Sequence, residues 1–366
     1  MTNNYDHALK PGSTIGILGS GQLGRMLALA ASPLGFRCHV YCPATGPAFD
    51  VCVEGTSAKY EDRAALAEFA RNVDVITYEF ENIPVETVEF LAQFRPVRPN
   101  PSALKVSQDR LTEKTFIQSC GAAVARFEAV STAAELDRAL DDFGGSGVLK
   151  TRRFGYDGKG QIMISPDTRR PAEGMLEELG HVPLILEERI AFSREVSVIG
   201  VRGLNGETRS FDVAENVHEH HVLKTSTVPA NIPEDAARKA RAIAENILST
   251  LDYVGTMGVE LFVVEEDSEI RLLVNEIAPR VHNSGHWTMD ACGYSQFEMH
   301  IRAIAGWPLP GTERHADVVM TNLLGNNIND WLDYAAMPGV HLHDYAKRDA
   351  RPGRKMGHVN RLFPRP

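Results

Sequence analysis

Cysteine is scarce in this chain of 366 residues, and what there is makes no pattern. The five cysteines, at positions 38, 42, 52, 120 and 292, are odd in number and contain no C-x-x-C pair. That excludes a disulfide framework and a thiol zinc site and reads as reduced thiols. Long apolar runs are missing too: none approaches the ~18–20 residues of a membrane-spanning helix. Residues 1–11 are polar, without the apolar stretch of a secretory leader. Positive charge is in deficit, with 38 Lys and Arg against 48 Asp and Glu and a formal net charge of -10. A nucleic-acid binder would carry a basic face. Anionic substrates must therefore be held by local clusters of Arg and Lys, not by the field of the whole molecule. These absences describe a soluble, cytoplasmic protein.

What is present is a globular composition, 43% hydrophobic and 23% charged, with length for two or three domains. Apolar runs at 13–18, 36–41 and 73–78 alternate with helical patterns at 25–32, 61–71 and 84–94. Such alternation predicts an α/β unit with a parallel sheet covered on both faces. The proline-rich stretch 95–101 reads as its exit. Helices are predicted over 102–120 and 130–143, and a β-rich region follows. There 194–202 pairs with 207–213 across Asn205-Gly206, a strong hairpin signal. A long amphipathic helix spans 233–250, with Ala236, Ala240, Ile243, Ala244 and Ile247 on one face. A second hairpin, 257–264 with 269–277, is tipped by acids, and a small unit closes the chain from about 316.

Gly19-x-Gly21-x-x-Gly24 follows the first strand and matches a dinucleotide fingerprint. The second strand, however, ends Tyr41-Cys42-Pro43, without the acid that would bind a ribose. NAD is thereby disfavoured, and a phosphate smaller than a dinucleotide at the helix N-terminus is the preferred reading. The richer signal begins at Lys150, at the end of an apolar run, followed by Gly155-Tyr156-Asp157-Gly158-Lys159-Gly160-Gln161. Glycines let backbone N–H groups wrap a polyphosphate and let the loop close over it. The run ending Glu187-Glu188-Arg189-Ile190 can read adenine with main-chain groups, and Glu195 lies within reach of ribose hydroxyls. Glu260 and Glu276 sit on the acid hairpin, where magnesium takes one or two carboxylates plus phosphates. They share a face if the hairpin loop holds an odd number of residues; an even loop needs a bulge.

Together these residues resemble the ATP-grasp superfamily. More narrowly, Gly21-Gln22-Leu23-Gly24-Arg25-Met26, Gln108-Asp109-Arg110, the 155–161 loop, the run from Arg280 through His282-Asn283-Ser284-Gly285-His286 to Thr288, Ser295-Gln296-Phe297-Glu298 and Lys355-Met356-Gly357-His358 resemble the N5-carboxyaminoimidazole ribonucleotide synthetases. The likeness spans about residues 12–360. It implies an ATP-grasp fold, α/β with an α+β core. The units would be a Rossmann-like pre-ATP-grasp domain (12–108), the ATP-grasp domain (109–308) and a small C-terminal domain (309–366). It implies ATP, magnesium, bicarbonate and 5-aminoimidazole ribonucleotide, a homodimer, and a mutase on a separate chain. Arg110, Lys150, the loop, Glu187 to Ile190, Glu195, His218, Asn275 and Glu276 would contact ATP. Gln22, Leu23, Glu79, Tyr156, Asp157, Arg280, His282, Asn283 and Lys355 would face the ribonucleotide and carboxyl group, with His282 and His286 candidates for a proton relay. Val281 replaces a common proline, and His220-His221 stands where an acid-glycine pair is usual.

Overall fold

A computed structural model describes residues 7–155, 158–266 and 269–365. The N-terminal runs form a four-stranded parallel sheet in the order Glu54–Thr56, Arg37–Tyr41, Thr14–Leu18, Val75–Tyr78. Thr14–Leu18 and Val75–Tyr78 are apolar along nearly their whole length because helices bury both faces. The stretch 95–101 does not leave this sheet, as its prolines predict. Ile76 N–H donates to Pro96 O (2.9 Å) and Arg98 N–H to Ile76 O (2.8 Å), so Val97 extends the open edge.

The helix predicted over 102–120 is two helices, Pro101–Ser107 and Arg110–Ser119. The break falls at Asp109, whose carboxylate accepts from the N–H groups of Leu111 (3.0 Å) and Thr112 (3.2 Å) and starts a new helix. The helix predicted from 130 begins later. Val130 ends the strand Phe127–Val130, and the helix Ala133–Asp142 opens on a capping box between Thr132 and Glu135. With Leu184–Glu187, Gly147–Thr151 and Gln161–Ile164, that strand makes a four-stranded antiparallel sheet.

The third sheet has nine strands. It runs Glu269–Ala278, Gly255–Glu266, Arg194–Arg202, Ala214–Glu219, Val222–Val228, Asp317–Leu324, Lys355–Phe363, Val340–Asp344, with Thr208–Ser210 on Arg194–Arg202. The helix Glu234–Thr250 lays Ala236, Ala240, Ala244 and Ile247 on it, and Ile243 packs at the rim. The C-terminal strands continue the core sheet through Val222–Val228 and Asp317–Leu324, which bring Lys355 back towards the acid hairpin.

Candidate active site

Two lysines meet on one acid at the phosphate side. Lys150, near the end of its strand, donates from Nζ to Glu187 Oε2 (2.9 Å), and Lys114 Nζ stands 3.2 Å from the same oxygen. Burial pushes the Glu187 carboxyl up, but Lys150, Lys114 and Arg110 together outweigh it and hold it down at about 2. Glu187 is therefore buried and occupied by lysines, and its side chain fixes Lys150. Glu188 donates its N–H to Arg126 O (2.8 Å) and begins the segment Glu188, Arg189, Ile190 beyond the strand. Around the glycine loop, Thr151 N–H donates to Gly160 O (2.8 Å), and Gly158 and Gly160 take φ of 76° and 71°. Tyr156 and Asp157 lie outside the described residues; Lys159 is exposed and Gln161 opens the return strand. A Cβ on Gly158 would stand 2.6 Å from the His221 ring. His220 and His221, at φ 50° and 64°, form the two-residue turn between paired Glu219 and Val222 and set that ring against the loop. Glu195 Oε2 and His218 Nδ1 form an ion-pair contact of 2.5 Å on neighbouring strands.

The acid hairpin pairs Glu260 with Glu276 through the bulge that an even loop needs. Glu266 pairs with Glu269, so two residues separate the strands. Continued regularly, this register would set Glu260 opposite Asn275. The register shifts between Glu260 and Leu261 instead, Asn275 becomes the extra residue of a bulge, and Glu260 stands directly opposite Glu276. Arg110 Nη1 donates to Glu276 Oε2 (3.2 Å), while Glu260 Oε1 lies 3.4 Å from His282 Nε2. Burial, with Glu276 adjoining, pushes the Glu260 carboxyl up to about 7. Among the described residues no group of three or more His, Cys, Asp or Glu is arranged to hold a metal. Two facing carboxylates completed by phosphate oxygens fit magnesium, which keeps few protein ligands.

The acceptor side is built on Glu79, Glu81 and the 280–286 run. Two N–H groups of the glycine fingerprint are turned inward, onto an acid at the end of a neighbouring strand. Gly21 N–H (2.5 Å) and Gly24 N–H (2.9 Å) both donate to the Glu79 carboxylate, and a Cβ on Gly19 would lie 2.5 Å from Glu79 Cγ. The glycines thus wrap a side chain of the protein itself. Gln22 is half-buried beside this cradle; Leu23 packs in the apolar core, so its side chain faces away from solvent. Glu81, the alternative to Glu79 as the acid facing the substrate, is the partner of Arg280 Nε. Burial raises the Glu81 carboxyl, but Arg280, with Lys355 a lesser cation, outweighs it and holds the group below its usual range; at Glu260 Lys355 only partly opposes the rise. Asn283 spends its amide on a reciprocal pair with Asn322 (3.0 and 2.8 Å), which anchors the turn after His282.

His282 is oriented by a buried relay. Ser226 Oγ donates to Asn216 Oδ1 (2.7 Å), Asn216 Nδ2 to Ser197 Oγ (2.9 Å), and Ser197 Oγ to Ser284 Oγ (2.7 Å). The Ser284 hydroxyl is left to donate to His282 Nδ1 (2.9 Å), so Nε2 carries the ring proton and points at Glu260. Burial keeps His282 and His286 well below the usual imidazole range, hence neutral; His286 Nδ1 meets Gln296 Nε2 (2.9 Å). One polar cavity is lined jointly by Phe154 and Gly155 of the loop and by Arg110, Glu276, Arg280 and His282. Segments more than a hundred residues apart in sequence thus share one cleft.

Comparison with known proteins agrees along the whole chain. Family models match as a ribonucleotide synthetase preATP-grasp domain over residues 12–108, an ATP-grasp domain over 115–297 and a phosphoribosylaminoimidazole carboxylase C-terminal domain over 318–365. The N5-carboxyaminoimidazole ribonucleotide synthase of Brucella melitensis is 50% identical over 359 residues, 98% of each chain. A crystal structure of an N5-carboxyaminoimidazole ribonucleotide synthetase in complex with ADP superimposes with a TM-score of 0.92 at 40% identity, covering 98% of this chain and 94% of that one. The Aspergillus clavatus enzyme, solved with ADP and 5-aminoimidazole ribonucleotide, gives 0.87 at 29% identity over 97% and 94%. A cleft of buried lysines, facing carboxylates and a glycine loop, carried on matching domains from end to end, shows that this chain belongs to the N5-carboxyaminoimidazole ribonucleotide synthase family of ATP-grasp ligases.

Proposed function

We propose that the cleft uses ATP and bicarbonate to carboxylate the exocyclic amine of 5-aminoimidazole ribonucleotide. The observation that carries this is the joint cavity, in which the glycine loop, Arg110, Glu276 and His282 meet. A bicarbonate oxygen attacks the γ-phosphorus and ADP departs, leaving carboxyphosphate. Its carbon–oxygen bond to phosphate then breaks to give CO2 and inorganic phosphate. The amine nitrogen attacks the CO2 carbon, and one N–H proton is lost.

Lys150 and Arg110 hold the triphosphate, with Lys159 and the backbone of 155–161 over it. Segment 188–190 takes the adenine, and Glu195 with His218 takes the ribose. Glu260 and Glu276 would hold magnesium, which when bound spreads the charge of the transferring group, and Asn275 lies beside them as an ATP contact. Closure of the loop keeps water from the intermediate. Arg280 suits a bidentate grip on a carboxyl or phosphate and Lys355 a point contact. The His282 Nε2–H, which faces Glu260, is the donor offered to bicarbonate. Tyr156, Asp157, Gln22 and Glu79 complete the acceptor side. A homodimer in the cytoplasm, and a transient contact with the mutase that consumes the labile carbamate, belong to the same proposal.

A phosphate-release assay, leaving out one substrate at a time, tests it. Release should require ATP and bicarbonate and rise with aminoimidazole ribonucleotide. Equal stimulation by unrelated amines, or none by this one, overturns the acceptor assignment.

A further inference from the structure

The bulge that sets Glu276 opposite Glu260 is held from outside the hairpin. Three consecutive residues of the strand Glu269–Ala278 are each gripped by the helix Arg110–Ser119. Lys114 Nζ donates to the Asn275 carbonyl (3.1 Å), Arg110 Nη1 to Glu276 Oε2 (3.2 Å), and Ile277 N–H donates to Glu113 Oε1 (2.8 Å). Positions 110, 113 and 114 fall on one helical face by the i, i+3, i+4 rule. The two side chains not already assigned to the nucleotide, Glu113 and Lys114, are 3% and 1% exposed. Burying a carboxyl and an ammonium is costly unless partners compensate, and apolar residues would dock a helix on a sheet at lower cost. Lys114 does more than dock: its ammonium also reaches Glu187, the acid that holds Lys150 (3.2 Å).

We propose that Glu113 and Lys114 are positioning residues. They fix the bulge at Asn275 so that Glu276 faces Glu260, and Lys114 ties that geometry to the phosphate lysine through Glu187. The inference rests on the reading of Glu260 and Glu276 as the metal carboxylates. Without the clamp, the hairpin can relax to its regular register, in which Asn275 opposes Glu260 and Glu276 turns to the other face.

The test is calorimetric binding of ADP with and without Mn2+ to the whole protein. For the wild type, Mn2+ should tighten ADP binding; no tightening overturns the metal reading and with it this proposal. Given tightening, Lys114→Met and Glu113→Leu should lose at least tenfold in affinity for Mn2+-ADP but less than threefold for ADP alone. Glu113→Gln, which keeps an acceptor for the Ile277 N–H, should stay within threefold of wild type for both. Equal losses with and without metal, or no loss in folded variants, overturn the positioning role while leaving the carboxylate assignment intact. Should Lys114→Met fail to fold, the Glu113 pair decides: Leu and Gln behaving alike overturns the proposal.

Discussion

A single oxygen, Glu187 Oε2, carries two ammonium groups, so Glu187 sets the position of both Lys150 and Lys114. Glu187→Gln removes the compensating charge and leaves two buried cations facing each other. Losses of about 3–5 kcal/mol follow when one partner of a buried pair is removed, and urea unfolding should read a loss of that order. Unchanged stability would mean that water reaches the lysines. His282 makes a different demand, since its role depends on which nitrogen is protonated. Ser284→Ala removes the hydroxyl that donates to Nδ1 and leaves only the long contact from the residue-284 N–H (3.4 Å) to hold the tautomer. Loss of such an orienting partner costs about 10–100-fold in comparable sites. Steady-state kinetics should therefore show ribonucleotide-dependent kcat down by about tenfold or more, with ADP affinity unchanged and activity largely recovered in Ser284→Thr. An equal fall in ADP affinity would point to collapse of the loop, not to the tautomer.

Among the elements, the glycine loop and the His220-His221 turn act as a pair. Gly158 sits at a φ of 76° against the His221 ring. Gly158→Ala adds about 1 kcal/mol of left-handed strain and a contact closer than carbon atoms tolerate. Both penalties fall on a loop outside the main cores, so kcat/KM for ATP should drop while the melting temperature hardly moves. Gly158→Ala/His221→Gly should recover much of the loss, because it removes the ring and relaxes a strained φ of 64°. No recovery would move the cause to the left-handed backbone at Gly158 itself. These elements also mark how far residue pattern reaches. The strands, the Asn205-Gly206 hairpin and the long helix are legible because apolar periodicity and turn chemistry are local. The break at Asp109 and the Thr132–Glu135 capping box are equally local, but were hidden in helical stretches whose periodicity continues across them. The bulge at Asn275 is not local at all. Parity of the loop left two registers open, and the choice depends on Lys114 and Glu113, some 160 residues away in sequence.

At the scale of the molecule, chain-distant contacts join the sheets, and none is visible in periodicity. That Asp317–Leu324 extends the core sheet, or that Glu79 fills the glycine cradle, follows only from tertiary packing. His300 is the clearest joint. It lies on the helix Gln296–Ile304, between the parallel sheet and the nine-stranded one. Thr256 N–H donates to its Nδ1 (3.1 Å), so Nε2 carries the proton and donates to Thr77 Oγ1 (2.8 Å). The ring is fully buried, and burial pushes its pKa down to about 3. Charging it would also put a proton on Nδ1 against the Thr256 N–H. Below the unfolded value near 6.5 the unfolded chain binds a proton that the folded protein refuses. Stability from this group is thus fully present above pH 6.5 and falls by about 1.4 kcal/mol per unit as pH drops towards 3. His300→Gln cannot titrate and keeps a donor and an acceptor. It should be less stable than wild type at pH 7, but the gap should close by about 2 kcal/mol by pH 5 in urea unfolding. Other buried histidines, His286 and His358 among them, remain in both proteins and cancel in the difference. Parallel profiles for the two proteins would mean that His300 accepts its proton in the folded state. In that case the joint between the two sheets would open in acid before the rest of the molecule.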